Sequence, residues 1–255
     1  MNQPRIFLIG FPKCGLHMLE QAVSVFASPT AKDCWYGHNA WGLTKPEPPL
    51  KEVMASMCSL TPGKYAKGHP PYTVGLASAF RGLDMAVYFI YRDLRDVVVS
   101  LLHHLRKASP ADSVLKHPHP DLYRALRCDE AILLAIIEGV GEFPAFFDWW
   151  ATYALWLHRP AVCTLRYEDL HSARFRTCAR IVDHYCTVGD LKAPMKPVVQ
   201  AMVRRTRDTK HSATFRKGGS GGWRAAFTPR VIDSFKAHDP GWLVDLGYVQ
   251  DDDWS

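Results

Sequence analysis

Four short strand-like runs, Ile6–Gly10, Tyr65–Lys67, Ala86–Tyr91 and Ala161–Arg166, set the terms on which this chain can fold. The first, third and fourth lead into stretches whose apolar residues recur at helical spacing, Leu16–Phe26, Leu94–Arg106 and Ala173–Tyr185. Parallel strands of one sheet need a crossover between them, and a helix is the usual one. The alternation therefore predicts an α/β fold: βαβ units, a central parallel sheet, and helices flanking it. Pro-, His- and Gly-rich stretches interrupt the pattern at 28–50, 107–120 and 207–222. Loops of that length inside a compact domain are functional or disordered. None has the composition of a linker, so residues 1–255 read as a single domain.

In open parallel sheets, ligands bind beyond the carboxyl ends of the strands. Lys13 follows the first run, and Arg92 and Tyr167 follow the third and fourth. His69 closes the second, because Pro70-Pro71 cannot continue a central strand. The topology thus sends these side chains to one edge of the sheet.

Three segments carry the chemistry. "GFPKCGLH", residues 10–17, is a glycine-bounded turn with a lysine, set where a strand gives way to a helix. It is not the triphosphate loop G-x-x-x-x-G-K-[ST], because Lys13 precedes Gly15 and no hydroxyl follows to hold Mg²⁺. Amides at the helix start can still take a phosphate. Alone, the segment is equally a plain strand–helix turn with a surface lysine. In "YRDLRDVVVS", residues 91–100, Asp93 can cap the helix and Asp96 can favour its dipole from the first turn. Arg92 and Ser100 can face one small anion; alone, Arg95 and Asp96 also read as solvated charges and Ser100 as filler. "FRKGGSGGWRAAFT", residues 215–228, sets four glycines beside Arg216 and Lys217, which lets backbone and cations approach a phosphate together.

Composition narrows the partners. The net charge of +6 contains no dense Lys/Arg tract, which argues against nucleic acid. Seven scattered cysteines without a C-x-x-C pair argue against a disulfide framework or zinc site, and for reduced thiols in the cytoplasm. The apolar run Ala131–Ile137 is too short to span a bilayer, and a first strand near Arg5 leaves no room for a signal peptide. His103, His104, His117 and His119 lack the spacing of a metal site and read as a solvated loop.

Together the segments resemble the sulfotransferase family. "FPKCGLH" is similar to the P-K-S-G-T-T-W loop that binds a 5′-phosphosulfate, "YRDLRDVVVS" to the Arg-seven-residues-Ser motif for a 3′-phosphate, and "FRKGGSGGWRAAFT" to R-K-G-x-x-G-x-W-[KR]-x-x-F-T. "KGH", residues 67–69, resembles the K-[TS]-H step, and "DWW…LRYEDL" (148–150, 165–170) the W-W helix and following strand end. All stand in family order over nearly the whole chain.

The resemblance implies a P-loop-like phosphosulfate loop after the first strand. It also implies transfer of a sulfuryl group from 3′-phosphoadenosine 5′-phosphosulfate (PAPS) to a hydroxyl, leaving PAP and needing no metal. His69 would be the general base, and Lys13 would stabilise the leaving phosphate. Backbone from Cys14 through Gly15 and Leu16 to His17 would cradle that phosphate. Arg92, Ser100, Arg216, Lys217 and Gly218 would hold the 3′-phosphate, and Tyr167 would approach the adenine. Where the family has S-G-T-T-W this chain has Cys14-Gly15-Leu16-His17-Met18, so hydroxyls are missing and Met18 replaces the tryptophan that stacks on adenine. The dimerisation segment is matched in part, through Arg224, Phe227-Thr228-Pro229 and Asp233, which implies a monomer or weak homodimer. For a small, partly apolar or aromatic acceptor the candidate walls are Trp35, Tyr36, Trp41, Tyr72, Phe146 and Trp150. The alternatives are a phosphoryl-transferring kinase on a related fold and a non-catalytic nucleotide-binding module.

Overall fold

The computed structural model describes residues 3–29, 35–36, 50–107, 125–141, 143–192, 195–207 and 219–255. These divide into two compact units. The first draws on Met1–Ala40, Pro46–Tyr91 and Tyr153–Gly218, the second on Trp41–Lys45, Arg92–Thr152 and Gly219–Ser255.

The first unit holds the sheet. Its strands are β1 (Arg5–Gly10), β2 (Ser28–Pro29), β3 (Trp35–Tyr36), β4 (Lys64–Gly68), β5 (Met85–Tyr91) and β6 (Val162–Arg166). The order is β2-β4-β1-β5-β6, with β3 also on β4, and every pairing is parallel. β1 and β5 are apolar without alternation because both of their faces are covered. The helices here are α1 (Leu16–Val23), α2 (Leu50–Cys58), α3 (Val74–Gly82), α7 (Asp169–Ser172), α8 (Arg174–Gly189) and α9 (Met195–Arg205). Ile6, Leu8, Tyr88, Ile90 and Leu165 form one core cluster with Leu16, Leu19, Ile181, Val182 and Met202 of α1, α8 and α9. Phe7 points the other way and meets Phe80 of α3, with ring centroids 5.0 Å apart.

The second unit is helical: α4 (Leu94–Lys107), α5 (Asp129–Glu138), α6 (Phe146–Ala154, its last two residues in the first unit), α10 (Trp223–Ala226), α11 (Pro229–His238) and α12 (Trp242–Asp245). Phe147, Phe227, Phe235, Trp223 and Trp254 interlock edge-on or tilted in its core. Thr228 caps α11, accepting from the Val231 amide, with Pro229 following it in the first turn. The segment similar to a dimerisation motif thus packs within this unit, where Phe227 meets Phe235.

The expected α/β architecture with a central parallel sheet is the observed one, and each expected strand bound lies within one residue; of the expected helices, Leu16–Phe26 stops at Val23 and Ala173–Tyr185 runs on to Gly189. The stretch 28–50, read as irregular, supplies β2 and β3, and α2, α3 and the helices after residue 222 had no expectation attached. No helix among the described residues is long and apolar enough to cross a membrane, and no disulfide joins their cysteines.

Candidate active site

The turn after β1 is closed by the Cys14 amide donating to the Phe11 carbonyl (3.1 Å). Lys13 stands in the left-handed region at φ 70, a conformation that costs a non-glycine residue roughly 1–2 kcal/mol. Gly15, at φ 94, starts α1: its carbonyl accepts from the Met18 and Leu19 amides, and as cap residue it brings no side chain to close the helix start. Glycine is required there by space as well as by torsion, because a Cβ would stand 2.2 Å from Cδ2 of Tyr167. The result is a helix start with its cap side open beside a lysine, which suits a phosphate. Cys14 and Leu16 are buried, at 0% and 4% exposure.

Register brings His69 to this loop. Ile9 pairs with Gly68, which sets His69 level with Gly10, and its Nδ1 lies 2.6 Å from the Gly10 carbonyl. A carbonyl only accepts, so Nδ1 carries the proton and Nε2 of the neutral ring keeps its lone pair. Burial, reinforced by the neighbours His17, Lys13 and Lys67, pushes the imidazole down to about 4 against the opposing pull of the Gly10 carbonyl. His69 is therefore neutral at neutral pH. Two residues that the sequence reading missed fix its backbone: Tyr153 donates its hydroxyl to the His69 carbonyl (2.6 Å), and Trp156 Nε1 donates to the Pro70 carbonyl (3.2 Å). Tyr153 also meets Phe11 of the loop edge-on at 5.0 Å. The signal was present as aromatics three apart just after the W-W pair.

A polar cluster adjoins the loop. Glu20 of α1 accepts from Tyr65 Oη (3.1 Å) and from Lys67 Nζ (2.5 Å), and lies 3.4 Å from His17 Nδ1. Burial opposes ionisation of this carboxyl, but the bonds and charges of His17 and Lys67 override it and hold it at about 2.

Tyr167 is buried, its amide donating to the Tyr91 carbonyl (2.8 Å) and its ring pressed on Gly15 and edge-on to His171. Met18 is buried in the same core cluster. Lys13, Cys14, Gly15, Leu16, His17, His69 and Tyr167 thus come together in the first unit.

In the second unit, Arg92 donates to the Gly219 carbonyl (2.8 Å) and lies 3.8 Å from the Asp96 carboxylate. Asp93 caps α4 through the Arg95 amide and grips the Arg95 guanidinium through both oxygens. Asp96 and Arg95 are not solvated charges; both are 3% exposed. Asp96 accepts from the Gly221 amide (2.7 Å) and the Trp223 amide (3.1 Å), so it anchors the glycine segment instead of serving the dipole alone. Arg95 lies between the rings of Trp223 and Trp254, at 4.1 and 4.7 Å. Ser100 is half-buried, two turns into α4.

Of the candidate acceptor walls, Phe146 and Trp150 are core residues at 1% and 0% exposure, which leaves them no surface to offer a ligand. Tyr72 is half-buried, edge-on to Trp156 and under the Arg159 guanidinium. Trp35 and Tyr36 form β3 through their backbone. Arg216, Lys217, Gly218, Trp41, His117 and His119 lie outside the described residues. Among those described, no three His, Cys, Asp or Glu side chains form a metal-binding group.

A parallel sheet whose first strand runs through a lysine-bearing, glycine-capped turn into a helix defines a P-loop-like phosphate-binding protein. The chain belongs to the sulfotransferase family: residues 3–240 match the sulfotransferase domain. Among solved structures it is similar to mouse sulfotransferase SULT7A1 complexed with PAP, at 18% identity and TM-score 0.62, covering 97% of this chain and 88% of that one. It is also similar to retinol dehydratase in complex with androsterone and inactive cofactor PAP (15%, TM-score 0.59) and with retinol and PAP (15%, TM-score 0.60); each covers 96% of this chain and 81% of the other. No curated protein matches it significantly by sequence.

Proposed function

We propose that the protein transfers a sulfuryl group from PAPS to the hydroxyl of a small, partly apolar or aromatic acceptor, acting in the cytoplasm as a monomer or weak homodimer. The observation that carries the reading is the His69 ring beside the phosphate loop: its Nδ1 lies 2.6 Å from the Gly10 carbonyl, which puts the proton on Nδ1 and makes Nε2 the basic nitrogen. The loop fits the cofactor: a helix start with an open cap and a lysine is a donor set for a phosphate. When bound, PAPS supplies the sulfuryl group and departs as PAP. His69 keeps its own proton on Nδ1 and takes the acceptor hydroxyl's on Nε2. Lys13 and the backbone of Cys14–His17 hold the 5′-phosphate, with Lys13 set against the charge that grows there. Arg92 and Ser100, with Arg216, Lys217 and Gly218, hold the 3′-phosphate by the family motif. Tyr167 approaches the adenine by the same motif, while its ring also braces Gly15. Tyr72, Trp35, Tyr36 and Trp41 remain the candidate acceptor contacts. The neighbour that binds retinol and androsterone supports an apolar acceptor. Against a kinase, Leu16 occupies the place of a triphosphate loop's lysine and is buried in the core.

Calorimetric titration with PAP, followed by PAP release from PAPS with a panel of phenols, alcohols and sugars, tests the reading. His69→Ala should lose about 10²–10⁴-fold in turnover with PAP affinity intact. Lys13→Ala should lose rate more than PAP affinity. Near-native turnover by His69→Ala would remove the base assignment, and failure of the wild-type protein to bind PAP would sink the reading.

A further inference from the structure

We infer that Glu20 is a positioning residue for this reaction, its carboxylate fixing the Lys67 ammonium and the His17 ring on the sheet face that leads to His69. Side chains alternate along a strand, so Tyr65, Lys67 and the position of His69 beyond β4 share one face. The register Ile6↔Tyr65 and Leu8↔Lys67 makes it the face of Leu8, which packs with α1. Glu20 projects from α1 onto that face. It takes Tyr65 on Oε1 and Lys67 and His17 on Oε2. Packing of α1 alone does not call for this. A half-buried carboxylate carries a desolvation cost that an apolar residue of similar volume would avoid. What the carboxylate provides is order. A lysine ammonium on four rotatable bonds carries about 2 kcal/mol of rotamer entropy, and here its side chain is 14% exposed and tied at 2.5 Å beside the loop. Lys67 and His17 are two of the three side chains whose electrostatic effect lowers the proton affinity of His69. A carboxylate that sets their positions sets the charge around the base.

The inference rests on the sulfotransferase reading, and the test separates the two. Glu20→Gln keeps the shape and the Tyr65 bond but removes the charge. Without any cofactor, amine labelling of Lys67, read by mass spectrometry, should rise several-fold over wild type. With cofactor, kcat should fall about ten- to a hundredfold. PAP affinity should stay unchanged or tighten, since a negative charge beside the phosphate loop is gone. In a Lys67→Ala background, Glu20→Gln should cost less than about threefold in kcat. Unchanged Lys67 labelling, an undiminished loss of kcat in the Lys67→Ala background, or PAP affinity falling together with melting temperature would overturn the inference, the last marking a merely structural residue. If Glu20→Gln does not fold, Glu20→Asp retains the charge at shorter reach and should show the same rise in Lys67 labelling. A wild-type protein that does not bind PAP would overturn the sulfotransferase reading, while the cofactor-free labelling still decides whether Glu20 holds Lys67.

Discussion

Replacing Gly15 by alanine tests how the phosphate loop is held. The added methyl would stand 2.2 Å from Cδ2 and 2.6 Å from Cε2 of Tyr167, where real Cβ contacts essentially never fall below 3.0 Å. The ring cannot swing clear: Tyr167 is 6% exposed, its amide is bonded to Tyr91, and His171 lies against it. Two costs therefore combine. Alanine at φ 94 loses about 1–2 kcal/mol through the left-handed backbone, and overpacking adds about 1–3 kcal/mol. For a chain of this size each kcal/mol moves the melting temperature by about 2–4 °C, so a fall of roughly 5–15 °C is expected by scanning calorimetry. Tyr167→Leu in the same background removes the steric share but not the torsional one. The double variant should therefore lie about 1–3 kcal/mol above the sum of the singles. Gly15→Ala within about 1 °C of wild type, or strict additivity in the cycle, would refute the claim that Tyr167 presses on the loop.

The kcat/KM for the cofactor should stay level from neutral pH to about pH 5 and fall only as His69 protonates near 4, instead of bending near the 6.5 of an ordinary imidazole. Because the folded state binds that proton less readily than the unfolded chain, stability should be level above pH 6.5 and decline as pH drops from there to about 4. Urea unfolding across that window should show a slope that His69→Ala reduces, with the remainder carried by groups such as Glu20 whose proton affinity is also lowered by folding. Asp96→Ala leaves the Gly221 and Trp223 amides without their acceptor, at about 1.5–3 kcal/mol for each charged bond. Asp96→Asn, which keeps one oxygen, should lose about half as much by thermal unfolding.

The strands were legible because β1 and β5 are buried on both faces and so read as unbroken apolar runs. His69's place at the sheet edge was legible from Pro70-Pro71, since a proline pair ends a central strand in any context. Contacts across long sequence separations were not. Glu20 meets Lys67 over 47 residues, and Tyr153 and Trp156 reach His69 and Pro70 over 84 and 86. Nothing local in Glu20 separates a surface glutamate from one that gathers three donors. Arg95 and Asp96 misled for the same reason. Their charges suggest solvent, and only the fold supplies the indole rings and amides that make burial tolerable. Phe146 and Trp150 show the converse: aromatic content marked them as ligand walls, yet both are spent on the core.

The charges around His69 link proton and anion. His17, Lys13 and Lys67 all depress its proton affinity, and Lys13 heads the loop proposed to hold a phosphate. An anion seated there offsets the charges of Lys13 and Lys67, so its binding raises the affinity of His69 for a proton. By reciprocity, a proton on His69 tightens the hold on the anion by the same factor. Before the anion arrives the ring is neutral. On the proposed reading, once His69 has taken the acceptor's proton, the protonated ring and the anionic product favour each other. Release of that product would then be coupled to loss of the proton, and a low proton affinity in the empty site would reset the proposed base for the next turnover.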